Sequence, residues 1–206
     1  MSKSISFEML REDWRTVFHY TKNNRFIALI FILNGLYMVC LTSIDSLEAA
    51  FSMNTLQLDE STYGLLVSVA GIGFVIGSIV NIKWAIPPLI AIKWGMVCTA
   101  IGYSIYSFST SWGMAAVGFF VVSGALTFVN VGYVTFIQKK LTTELLGRFM
   151  SIFSLIEAFG MIVMIGTFAV MTEIVTLRSL VKSGVVFLIF IVVTFFISEK
   201  RSKGLR

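Results

Sequence analysis

Residues Phe26 to Phe51 read FIALIFILNGLYMVCLTSIDSLEAAF, an apolar run of helix length that carries Asn34, Asp45 and Glu48. At 100° per residue, Asn34 and Asp45 lie about 20° apart around a helix and Glu48 about 40° to the other side, so the three polar groups share one face. The other faces carry Phe, Ile, Leu, Val and Ala. Hydrocarbon does not tolerate carboxylates, whereas a bundle interior or a water-filled cavity does. The stripe is therefore expected to turn toward other helices of the same assembly, and the rest of the chain reads as the helices that receive it.

The composition agrees. Of 206 residues, 57% are hydrophobic and 13% charged, with a mean hydropathy of +0.89, far too apolar for an ordinary soluble domain. Runs long enough to cross a core of roughly 30 Å fall at Phe26–Phe51, Tyr63–Ile82, Pro88–Phe108, Gly113–Phe136, Phe149–Met171 and Leu180–Ile197. The expectation is an all-α polytopic membrane bundle of six transmembrane helices over residues 26–198, preceded by a segment 1–25 and followed by a basic tail 199–206.

Six spans put both termini on one side, and charge selects the side. Grouping the first 25 residues, Lys83 to Lys93, Lys139 to Arg148 and the tail leaves only Arg178 and Lys182, of 16 Lys and Arg, on the opposite face. By the positive-inside rule both termini are cytoplasmic. The net charge of +5 is orientation information, and no nucleic-acid partner is read from it. Cys40 and Cys98 lie inside apolar runs and are read as packed thiols, not as a disulfide or a metal site. No cleavable signal peptide is expected, because the first 25 residues are polar and the first apolar run is too long.

Before the first span, Phe7, Leu10, Trp14, Val17 and Phe18 recur at spacings of three and four among charged residues, an amphipathic helix suited to the membrane surface or to the ends of the bundle. Ser52 to Thr62 is the sizeable outer loop, in which Asp59, Glu60 and Ser61 can cap the second span. That span carries Gly64, Ser68, Gly71, Gly73, Gly77 and Ser78, and small residues let helix backbones approach closely in lipid. The fourth carries Ser123, Thr127 and Asn130 beside Gly118, Gly124 and Gly132. The second and fourth spans are accordingly expected to be more buried than the third and sixth. Pro87 and Pro88 open the third, where Lys93 can snorkel to the interface.

Glu157 lies nine residues beyond Arg148, or about 14 Å at the helical rise, close to mid-membrane. A carboxyl at that depth faces a cavity, is paired, or is carried neutral. Two readings stand side by side: a proton-handling group, or a neutral hydrogen-bond donor between helices. Asp45 is about 28 Å past Phe26, so a hydrated position at the outer interface stands beside a cavity-facing one. The single histidine, His19, precedes the first span, and Ser123-Gly124 lacks the upstream glycine of a rhomboid-like nucleophile motif, so no enzyme, metal or cofactor is expected.

The residues FEMLREDWR at 7–15, the Tyr63-Gly64-Leu65-Leu66 and Gly71-Ile72-Gly73 segments, and Leu146-Gly147-Arg148-Phe149-Met150-Ser151 together resemble the C-terminal half of a major facilitator superfamily transporter, most closely the macrolide-efflux branch. The resemblance covers nearly the whole chain. It implies one six-helix lobe of a secondary transporter, a proton-coupled exporter of amphipathic or drug-like molecules in a bacterial plasma membrane. Asp45, Glu48, Glu157, Asn34 and Asn130 would then be substrate or proton-binding candidates, and Gly77, Asn81, Lys83 and Arg148 the cytoplasmic gate. In that family a Gly-x-x-x-Asp-Arg latch follows the second helix of a lobe, whereas here Asn81 stands at the aspartate position, with Lys83 nearby. Twelve-helix members hold substrate between two lobes, so a second lobe or a homodimer partner is implied. The competing reading is a truncated or accessory six-helix membrane protein without transport of its own.

Overall fold

The computed structural model describes residues 7–203, with side chains from Arg11 to Lys200. The side chains of Phe7, Glu8, Leu10, Arg201 and Lys203, and residue Arg206, lie outside the described residues. Among the described residues the chain is all helical: α1 (Phe7–Asn23), α2 (Arg25–Asp45), a short α3 (Glu48–Ala50) continued by a π-helical turn (Phe51–Thr55), α4 (Glu60–Trp84), α5 (Pro88–Ser107), α6 (Trp112–Lys140), α7 (Thr143–Met171) and α8 (Leu177–Lys203). Six segments are long and apolar enough to cross a membrane, the first running from Arg25 to Thr55. Helices answer the demand of hydrocarbon, since each satisfies its own backbone groups.

The first span does not continue as one regular helix. The ladder of α2 ends at Asp45, Leu47 N–H turns back to the Ile44 carbonyl at 3.0 Å, and Leu56 N–H reaches the Phe51 carbonyl at 3.1 Å. The expected loop Ser52–Thr62 is thus largely helical, leaving residues 56–59 as the connection. Asp59 caps α4: its Oδ1 accepts the Thr62 amide at 3.3 Å and its Oδ2 accepts the Ser61 hydroxyl at 2.8 Å. These bonds, first that with Thr62 and then that with Ser61, hold the carboxyl below the usual range. Its contribution to α4 is therefore present above the unfolded value of about 3.9 and is lost as pH falls through the lower folded value. Exchange at the Thr62 amide is expected to accelerate across that acidic window, and Asp59→Asn, which keeps a capping oxygen without a titrating one, should remove the pH dependence.

Helix α4 ends at Ala85, whose φ of 42° is left-handed. Alanine is strained there and glycine is not. Ala85→Gly is expected to stabilise the turn by about 0.5–1 kcal/mol, read as a higher midpoint in detergent unfolding. Pro87 and Pro88 then open α5 as the sequence requires, with Pro88 in its first turn.

Packing follows the glycines. A Cβ at Gly77 would lie 2.5 Å from the Gly124 carbonyl, one at Gly73 would meet Ser123, one at Gly102 would lie 2.9 Å from the Gly118 carbonyl, and one at Gly132 would lie 2.8 Å from the Pro88 carbonyl. Helix α6 is therefore in backbone contact with α4 on one side and α5 on the other. Helix α2 joins α7 and α8, and α5 joins α8. Exchanging the triplet α2, α4, α5 for α6, α7, α8 maps these pairings onto one another. Phe31 of α2 anchors the centre, 5.1 Å from Phe149 and 4.5 Å from Phe153 of α7 and 5.7 Å from Tyr133 of α6.

Burial departs from expectation. The apolar window of α4 is only 22% buried and that of α7 11%, against 50% for α5 and 44% for α6 and α8. The second span is thus less buried than the third and sixth. Its glycines fall on two faces, of which only the one carrying Gly73 and Gly77 meets α6. Helix α8, expected at the lipid, buries Leu180, Val181, Val185, Leu188, Ile191 and Phe195 against α2 and α5. Aliphatic side chains suit lipid and bundle alike, so composition alone does not tell the two apart. Lys93 does not snorkel freely: its Nζ lies 2.7 Å from Glu199 Oε2 on α8.

Candidate functional site

Of the polar stripe expected on the first span, Asn34 turns into the bundle, whereas Asp45 and Glu48 lie beyond the regular part of α2. Asn34 is buried, and its side-chain oxygen has no hydrogen-bond partner among the described residues. Farther along, the break after Asp45 brings two carboxylates against the ends of α4 and α5. The Tyr103 hydroxyl donates to Asp45 Oδ1. The Tyr63 hydroxyl donates to Glu48 Oε1 at 3.1 Å. The Tyr106 hydroxyl donates to the Glu48 carbonyl at 3.1 Å and lies 3.1 Å from Ser52 Oγ.

Asp45 itself is exposed and Glu48 half-buried. Neither carboxylate has an ion-pair partner among the described residues. Arg178, at the same end, lies 5.3 Å from the Phe51 ring and donates to the Ser107 carbonyl at 3.4 Å. Phenol donors stabilise a carboxylate without neutralising it. The result is an acidic patch without a counter-ion among the described residues, suited chemically to a proton or an organic cation. The tyrosines were not singled out in the sequence because an aromatic in a membrane helix reads as packing; their signal is position, with each at the end of its span that meets Asp45 or Glu48.

Glu157 is separate from this cluster. It lies half-buried on α7 beside Gly35, where a Cβ would lie 3.2 Å from its Oε1. The groove it shares, about 380 Å³ between α2 and α7, is otherwise walled by Phe31, Leu36, Phe153, Phe159 and Val163. The carboxyl has no hydrogen bond among the described residues, and Tyr133 of α6 is within its electrostatic reach. Gly35 leaves the space into which this side chain folds. Asn130 on α6 is exposed and likewise without a hydrogen bond among the described residues.

The four gate candidates divide. Gly77 and Asn81 meet α6, the latter buried with its Nδ2 donating to the Thr127 carbonyl at 3.3 Å. Lys83 is exposed and makes no ion pair among the described residues. Arg148 instead ties α7 to α1, 3.2 Å from Asp13 and 3.0 Å from Glu144. At Asn81, α4 and α6 are joined by a hydrogen bond from a neutral side-chain amide, with the arginine engaged elsewhere.

The two least-buried spans share a pattern. On α4, Gly64, Ser68 and Gly71 follow at spacings of four and three, and on α7 Gly147, Ser151 and Ser154 follow at the same spacings. All six are exposed, and a Cβ at Gly64, Gly71 or Gly147 would meet nothing within 4 Å. Each set lies on one helical face. These correspond under the same triplet exchange that relates the helix pairings. No family model, curated protein or solved structure matches this chain.

Proposed function

We propose that the chain is one six-helix lobe of a secondary transporter of the major facilitator type, exporting amphipathic, cationic small molecules in exchange for protons. In this reading it resides in a bacterial plasma membrane with both termini cytoplasmic and works against a second six-helix lobe, either a separate chain or another copy. The observation that carries the proposal is the pair of matching small-residue stripes on α4 and α7. Small residues forfeit dispersion contact with lipid but allow another helix to approach closely, so a stripe of them on each of two nearly bare spans is suited to two partner helices.

Three further features support the reading. The two triplets of helices pair in a mutually exchangeable way, as in lobes built from inverted repeats. The Asp45 and Glu48 carboxylates, held by tyrosines and without an ion-pair partner among the described residues, suit capture of a cationic solute. Glu157 supplies a carboxyl at membrane depth for proton exchange. In inverted membrane vesicles carrying the full chain, an imposed proton gradient is expected to drive accumulation of a fluorescent lipophilic cation. Asp45→Asn with Glu48→Gln should lower that uptake. Gradient-insensitive vesicles would favour the accessory, non-transporting reading instead.

A further inference from the structure

The opposite side of α4 carries a separate feature, one that depends only on the spans lying in a bilayer and not on transport. Where α6 is drawn into backbone contact with both α4 and α5, the latter two leave a slot of about 470 Å³ between them. Its floor is Gly77, Gly95, Gly124 and Ala125, and its walls include Trp94 and Cys98. The slot is deep because Gly124 and Ala125 of α6 project little into it, while Gly77 and Gly95 let α4 and α5 close onto α6. Apart from the Cys98 thiol the lining side chains are apolar, so the occupant at membrane depth is a hydrocarbon chain and not water.

The slot also has a polar end. Lys83 follows Ile76 and Val80 on the same face of α4, one turn closer to the Ala85 bend, and Ile86 beyond the bend returns to the lining. Lys93 and Arg148 are engaged by carboxylates, whereas Lys83 has no such partner among the described residues. Trp84, 69% exposed, flanks it, and Trp94, 57% exposed, stands on the slot wall. Indoles settle at the headgroup level of a bilayer, and a lysine there attracts anionic lipid. We propose that this slot holds one acyl chain of an anionic phospholipid, with the phosphate at Lys83.

The test uses the full chain with Trp14→Phe, Trp84→Phe and Trp112→Phe, so that Trp94 alone reports, in phosphatidylcholine nanodiscs. Increasing fractions of phosphatidylglycerol or phosphatidylcholine with mid-chain bromines are introduced. Brominated phosphatidylglycerol is expected to quench Trp94 at an about five-fold lower mole fraction than brominated phosphatidylcholine. Lys83→Gln, at an exposed position, should abolish that preference. Cys98→Phe should reduce quenching by both lipids by occupying the slot. Equal quenching by the two headgroups, a preference that survives Lys83→Gln, or quenching unaffected by Cys98→Phe would each overturn the assignment.

Discussion

Glu157→Gln is expected to leave the bundle folded and cation binding intact while lowering proton-gradient-driven transport at least about ten-fold. The reason lies in its surroundings: an apolar groove, Gly35 against its carboxyl, and no hydrogen-bond partner among the described residues. A charge in such a place is tolerated only when water enters, so protonation and opening of the groove are linked. Glutamine keeps the shape and removes the proton. Transport and its gradient dependence compared at equal expression read this directly. Unchanged gradient dependence would assign Glu157 a structural role as a neutral group between α2 and α7.

A leucine at two neighbouring glycines of α4 should have opposite consequences. In Gly77→Leu the new side chain begins 2.5 Å from the Gly124 carbonyl and 2.6 Å from Thr127 Oγ1. The Gly124 carbonyl and Cα are backbone of a packed helix and cannot yield by rotamer change, so the bundle itself is expected to lose on the order of 3 kcal/mol or more. Gly71→Leu meets nothing within 4 Å. It should leave the unfolding midpoint of the chain unchanged and abolish association through α4. The contrast separates the face that builds the lobe from the face that joins it to a partner, with unfolding in detergent and cross-linking in membranes as the two readouts.

The spans are legible in the sequence because continuous apolarity is a strong signal, and all six begin and end within a turn or two of the expected positions. What is not legible in the first, which runs Arg25–Thr55, is the break in its helical ladder after Asp45. Nothing in Ser46-Leu47 breaks a helix on local grounds; the break is set by contacts of the following segment with Tyr106 and Tyr63, which belong to other helices. Glycine content was read as burial for α4, but only Gly73 and Gly77 are buried, while Gly64 and Gly71 face outward. The distinction depends on where α6 lies. The carboxylates were found as site candidates by their cost in lipid. Their tyrosine donors were not, since a hydroxyl at a span end is inexpensive and carries no such signal.

The stripes on α4 and α7 give the most direct test of a two-lobe assembly. With Cys98→Ser removing the half-buried native thiol and Cys40 buried, Gly71→Cys and Ser154→Cys each place one accessible thiol on the exposed face of its helix. Oxidative cross-linking in intact membranes at native expression is expected to join each to a second six-helix polypeptide, and Phe159→Cys, exposed on α7 outside the stripe, should give no such product. Thiols at Gly71 and Ser154 that remain monomeric, and are reached by lipid-soluble reagents as readily as one at Phe159, would contradict the account.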